Sequence, residues 1–187
     1  MEDIRVVTDF SRNVREIENL WIPLPDGVKL AARIWLPEDG EADPVPAILE
    51  YLPYRKRDGT VERDALTHPY FAGHGYAGVR VDMRGSGDSE GLCMGEYLKQ
   101  EQDDCLAVIE WLAKQPWCSG KVGMIGISWG GFNGRHTFRG RRHGLRQPAL
   151  GFYRVGDRND PARSANRWRP LARHVGGSAQ QQRHLDA

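Results

Sequence analysis

The sequence predicts an α/β protein built on a mainly parallel sheet, with an antiparallel hairpin at its N-terminal edge. Three observations carry that expectation. Short apolar runs of β type recur at 47–51, 77–81 and 122–127. Helix-compatible stretches at 63–74 and 96–115 separate them, and alternating strands and helices imply a parallel sheet. The third run leads into Gly126-Ile127-Ser128-Trp129-Gly130, the G-x-S-x-G pattern of a sharp strand-to-helix turn that exposes a serine.

Each element has a local reason. Residues 14–22 mix charged and apolar positions as a half-exposed strand does, and residues 28–35 alternate again. Asp26-Gly27 between them is a hairpin signal. Residues 47–51 (Ala-Ile-Leu-Glu-Tyr) suit a buried strand, and the charged stretch 52–59, with Arg55-Lys56-Arg57, reads as a solvated loop. The 63–74 helix must place Pro69 at a break or in a first turn. Residues 77–81 form the next buried strand, followed by a loop, Asp82-Met-Arg-Gly-Ser-Gly-Asp-Ser-Glu-Gly91. Its Gly85-x-Gly87 invites a dinucleotide-binding reading, but the third glycine is misplaced and Asp88 and Glu90 would repel phosphate. In the 96–115 helix, Leu98, Cys105, Val108, Ile109 and Leu112 line one face, with Glu101, Asp103, Asp104 and Lys114 largely elsewhere. Pro116 ends it, and Ser119-Gly120 turns the chain into the third run.

Composition bounds the function. A chain of 187 residues, 40% hydrophobic and 27% charged, is long enough for one domain with a real core. The acidic opening Met1-Glu-Asp-Ile-Arg lacks the apolar segment of a secretory leader, and no apolar run approaches membrane-spanning length. Cys93, Cys105 and Cys118 are too far apart for a zinc knuckle or a redox pair, so reduced thiols and a cytoplasmic location are expected. No metal or organic cofactor is implied, and no membrane partner.

The serine turn carries the chemistry. Glycines two residues either side of Ser128 relieve a collision that side chains would create, and the strained serine is pushed clear of the sheet. The same turn aims the Trp129 N–H at the oxygen of an attacked carbonyl.

Taken together, the residues resemble the N-terminal part of an α/β-hydrolase of the CocE/NonD type, related to the X-Pro dipeptidyl-peptidases (S15 class). The resemblance rests on Pro25-Asp-Gly-Val-Lys-Leu, Pro46-Ala-Ile-Leu, Pro53-Tyr-Arg-Lys, the 82–91 loop, Glu110-Trp-Leu, and the run from Gln115 to Gly131, and covers roughly residues 14–134. It implies that Ser128 is the acyl-accepting nucleophile, with the Trp129 backbone N–H and the Tyr54 hydroxyl as oxyanion donors. It also implies a small ester or short X-Pro or α-amino-acyl peptide as substrate. Gly85, Gly87, Gly91 and Arg84 are expected to be structural, and Trp117 and Cys118 to pack beneath the elbow.

The pattern changes after Gly134. Residues 135–187 carry twelve Arg and no Lys against three Asp, and no hydrophobic period emerges. We therefore expect a hydrolase part at 1–134 and an atypical, irregular Arg-rich tail at 135–187. A shift of reading frame followed by early termination would produce this. On that expectation the fold is truncated just after the elbow, leaving an uncovered strand edge prone to self-association. The triad needs an acid and a histidine after the serine. Asp157 or Asp160 with His174 or His184 are in the required order, but none has a strand-end context, so the triad acid and histidine are expected to be absent. The alternative function is a non-catalytic fragment or binding module with an Arg-rich tail. Nucleic acid is not the expected partner, because no aromatic interleaving accompanies the arginines.

Overall fold

The computed structural model describes residues 9–139 and a short strand at 151–154. Strands β1 (Val14–Pro23) and β2 (Lys29–Pro37) pair antiparallel from Val14 opposite Pro37 to Pro23 opposite Lys29, with a bulge between Ile17 and Leu20. The turn between them uses both predicted residues: Gly27 takes φ +88°, and the Val28 N–H donates to Asp26 Oδ1 at 3.2 Å. Then follow β3 (Val45–Leu52), α1 (Val61–Gly73), β4 (Ala77–Asp82), α2 (Lys99–Leu112), β5 (Cys118–Ile125), α3 (Trp129–Arg139) and β6 (Gly151–Arg154).

The sheet order is β1-β2-β4-β3-β5-β6. At its centre β3 is parallel to both β4 and β5, while β2 joins β4 antiparallel. Helix α3 crosses the 134/135 division without interruption. Strand β6 pairs antiparallel with β5, Lys121 opposite Arg154 to Met124 opposite Gly151. A segment of the Arg-rich stretch thus covers part of the edge expected to be bare.

The core lies on one face of the sheet. Ile34, Leu36, Ala47, Leu49, Tyr51, Val79 and Val81 point there and pack against Cys105, Val108, Ile109 and Leu112 of α2. Positions 105, 108, 109 and 112 recur at helical spacing, so α2 buries one stripe. Each large aliphatic side chain so buried contributes roughly 1.5–3 kcal/mol. Two residues placed elsewhere by the sequence are in fact buried. Asp104 is drawn in by the Arg84 guanidinium at 2.7 and 2.9 Å, and Glu101 by the Trp129 indole at 3.0 Å. Trp117 and Cys118 are buried as well, but at the start of β5. An eight-residue strand therefore separates them from the elbow, roughly 25 Å at extended spacing, so they do not pack beneath it.

Helix α1 covers the opposite face. His68 stacks on Trp35 (centroids 4.8 Å apart), and a Cβ on Gly78 would come within 3.0 Å of His68. Pro69 is inside this helix rather than at a break. Proline there leaves the Ala65 carbonyl without its helical donor, and Ala65 is exposed, so water can satisfy it. Under α1 runs a buried ionic network. Arg80 Nε lies 3.2 Å from Asp64 Oδ2, which also accepts from Thr60 Oγ1 at 2.7 Å. Arg63 donates to Asp64 Oδ1 at 2.9 Å and to Glu50 Oε2 at 2.6 Å. Burial pushes the Arg80 pKa down even though Asp64 and Asp82 oppose it.

An unpaired charge in such a site costs more than the pair contributes. Asp64→Ala would remove the nearer carboxylate from the fully buried Arg80, leaving Asp82 at 3.6 Å, and should lower stability by about 3 kcal/mol. Denaturant unfolding checks this, and a loss under about 0.5 kcal/mol would contradict the network's importance.

Candidate active site

The parallel register assembles the site. Glu50 of β3 lies beside Ile125 of β5, so Tyr54 and Ser128 follow at the same carboxyl end of adjacent strands. In open α/β sheets that end is where ligands bind.

Ser128 takes φ +53°, a left-handed conformation that a non-glycine residue adopts only under constraint. The constraint is visible in the flanking glycines. A Cβ on Gly126 would lie 2.4 Å from the Gly130 carbonyl carbon, and one on Gly130 would lie 2.9 Å from Leu52 Cδ2. The turn closes with Gly130 N–H donating to Ile127 O and Phe132 N–H to Ser128 O, each at 3.1 Å. Ser128 itself is exposed, between exposed Ile127 and half-buried Trp129.

The two groups proposed by resemblance as oxyanion donors are brought together. The Trp129 N–H donates to Tyr54 Oη at 3.4 Å, across 75 positions of sequence. Tyr54 belongs to a tightly folded loop. A Cβ on Gly59 would lie 2.1 Å from the Tyr54 carbonyl oxygen, so the chain returns there without room for a side chain. Within the loop Lys56 is fully buried, contrary to the reading of Arg55-Lys56-Arg57 as solvated. Its backbone N–H donates to Asp82 Oδ1 at 2.7 Å, and its ammonium to Asp88 Oδ2 at 2.6 Å. Composition alone could not separate Lys56 from its neighbours; the carboxylates that bury it lie 26 and 32 residues on.

Asp82 is the junction of two loops. It accepts from Lys56 N–H and, at 3.2 Å, from Asp88 N–H, and a Cβ on Gly87 would lie 2.0 Å from its Oδ2. Burial pushes its pKa up, with Arg80 and these two N–H donors opposing. Gly85, Gly87 and Gly91 all have positive φ. Arg84 bridges Asp104 and Asp26. The structural roles expected for these residues hold, and Ser89 adds another: it donates to Asp82 O and accepts from Ala31 N–H.

Among the described residues, no histidine hydrogen-bonds the Ser128 hydroxyl. His68 and His74 belong to α1 and its cap, and His136 lies about two turns along α3, against Tyr97 and Phe132. Asp157, Asp160, His174 and His184 lie outside the described residues. Glu50, Asp64 and His68 bring potential metal-ligand atoms within 4.8 Å of one another. Arg63 and Arg80 already balance the two carboxylates, so the cluster is an ion network rather than a vacant cation site. No helix among the described residues is long and apolar enough to cross a membrane. Cys93, Cys105 and Cys118 are free thiols, and burial raises the Cys105 pKa to about 12, so that thiol is inert.

Sheet order and elbow together define an α/β-hydrolase. The sequence profile of the X-Pro dipeptidyl-peptidases (S15 family) matches residues 26–145, and the chain belongs to that family. Cocaine esterase from Rhodococcus sp. is 37% identical over 121 residues, which are 63% of this chain and 20% of the esterase. The chain thus spans about a fifth of the length of the curated relatives it matches. A CocE/NonD family hydrolase from Staphylococcus aureus superposes with a TM-score of 0.55 at 26% identity, over 65% of this chain and 24% of that one. An α-amino acid ester hydrolase gives a TM-score of 0.52 at 30% identity, over 70% and 24%.

Two outcomes follow for the elbow and its supporting loop. Gly126→Ala should cost about 2–3 kcal/mol in denaturant unfolding, because its Cβ would strike backbone. Gly134→Ala, within α3, meets nothing within 4 Å and should be neutral or slightly stabilising. The second outcome concerns pH. Lys56, and with it Arg57, holds the Asp88 carboxyl below its ordinary value of 3.8. A depressed carboxyl stabilises the fold above its unfolded value and loses that contribution as pH falls through the folded value. Melting temperatures taken from about pH 5 down to about pH 2 should fall less steeply in Asp88→Asn than in the wild type. Parallel curves would sink the assignment.

Proposed function

We propose that this chain carries the nucleophile half of a serine hydrolase site acting on esters or on X-Pro or α-amino-acyl peptides. Ser128 Oγ attacks the substrate carbonyl carbon, its proton passing to a general base, and the carbonyl oxygen becomes an oxyanion. Trp129 N–H and Tyr54 Oη–H donate to that oxyanion. Collapse expels the alcohol or amine, which takes the proton, and leaves an acyl-enzyme that water hydrolyses. The base comes from outside residues 9–139.

One observation carries the reading: an exposed serine at φ +53° whose following N–H lies 3.4 Å from a tyrosine hydroxyl delivered by the neighbouring strand. A merely structural strand-to-helix turn would require neither the strained serine nor the phenol. A second reading, a non-catalytic fragment of the same ancestry, is favoured by the absence of a histidine on Ser128 among the described residues. Free thiols fit a reducing compartment such as the cytoplasm.

A fluorophosphonate probe separates the two, since it labels an activated serine and ignores an idle one. Labelling is expected on Ser128 and should vanish in Ser128→Ala. In Tyr54→Phe it should slow by about 10²-fold, the cost of one oxyanion donor. Wild-type protein that is folded but unlabelled would establish the non-catalytic reading.

A further inference from the structure

We propose that Glu101 is a positioning residue for the elbow, acting through the indole of Trp129; this rests on the oxyanion role assigned above to the Trp129 N–H. Glu101 is only 7% exposed, unusual for a glutamate in the first turn of a helix. Its two oxygens serve different elements. Oε1 accepts the Leu98 N–H at 3.3 Å, closing the start of α2. Oε2 accepts the Trp129 Nε1–H at 3.0 Å, reaching the first residue of α3. One carboxylate thus bridges the beginnings of both helices.

Tyr97 completes the grip. It takes φ +59° immediately before the α2 cap, and its ring lies 5.2 Å from the indole at a 41° tilt. The indole is held at its edge by a carboxylate and against its face by an aromatic ring.

This hold bears on the reaction because indole and backbone N–H belong to one residue. Two side-chain torsions separate them, and fixing the ring at Nε1 restricts rotation of the peptide that carries the N–H. Trp129 is half-buried and packs against the apolar core, but apolar packing does not fix the direction of its indole N–H. That direction is set by Glu101 of α2. A donor meant for a developing oxyanion must be oriented before the charge appears, or the benefit is lost to reorganisation. The supporting contact, not the donor alone, therefore sets its value.

A double-mutant cycle over Glu101→Ala and Trp129→Phe in the full chain tests this. Phenylalanine keeps the backbone N–H and the ring packing but has no indole N–H. The first readout, amide hydrogen exchange over residues 127–132, requires no catalysis. Each single variant should speed that exchange about tenfold, the order expected for one hydrogen bond to a carboxylate. The double variant should add nothing further, and Glu101→Gln, whose amide oxygen still accepts from the indole, should recover most of the protection. Additive effects, or wild-type exchange at 127–132 in Glu101→Ala, would overturn the proposal. So would faster exchange confined to the start of α2, which would mark Glu101 as a helix cap alone.

The second readout is the rate of fluorophosphonate labelling, expected to fall about tenfold in Glu101→Ala. Protection lost without slower labelling would also overturn it, since the clamp would then not position the donor. A wild type that never labels removes the catalytic reading, and the clamp is then decided by exchange alone. If Glu101→Ala raises exchange throughout the sheet, it has unfolded, and Trp129→Phe against Glu101→Gln carries the comparison.

Discussion

The architecture depends on one strand. β3 is hydrogen-bonded in parallel to β4 on one side and β5 on the other, and most of its length is buried. Its alternation divides the molecule chemically. Ala47, Leu49 and Tyr51 enter the apolar core beneath α2, while Glu50 turns into the ionic network beneath α1. A one-residue slip would exchange those faces and put a carboxylate into the core. The same register fixes how far the chain runs beyond each strand, and so places Tyr54 beside the elbow.

Around that strand the site is held by polar groups rather than by bulk. Asp82 receives N–H donors from two loops, and Lys56 and Asp88 join those loops again through their side chains. Buried charges of this kind add less net stability than apolar packing does, but they tolerate few alternative arrangements. The Tyr54 loop is fixed at Lys56 and Gly59 and the elbow at Gly126 and Gly130, which leaves Ser128 exposed at the turn and the Tyr54 hydroxyl beside the Trp129 N–H. Strain at Ser128 is sustained because the glycine contacts surrounding it admit no relaxed alternative.

The curated relatives are much longer than this chain. The chain spans about a fifth of their length, while the matched segment contains the serine turn and both proposed oxyanion donors. The division is chemically meaningful. Electrostatic reception of an oxyanion needs only local backbone geometry and a neighbouring loop, whereas proton transfer needs a histidine and an acid that later strands supply. Substrate selection depends on still other surfaces.

The sequence by itself determined the local structure: the hairpin at Asp26-Gly27, the three buried strands, the helices between them, and the serine turn with its two obligatory glycines. Each is written in nearest-neighbour chemistry, as periodicity, turn residues or a forbidden side chain, and so is readable in one dimension. The turn pattern pointed to the Trp129 N–H, and the resemblance supplied Tyr54. Only the tertiary structure decided that Lys56 is buried while Arg55 and Arg57 are exposed, that Glu101 and Asp104 face inward, and that Pro69 lies within α1. It also decided that β6 pairs with β5, and that Trp117 and Cys118 are remote from the elbow. For the buried charges the reason is common. A charge is buried or solvated according to partners tens of residues away, such as Asp88 for Lys56, Trp129 for Glu101 and Arg84 for Asp104, and those distances close only when the sheet sets its strand order.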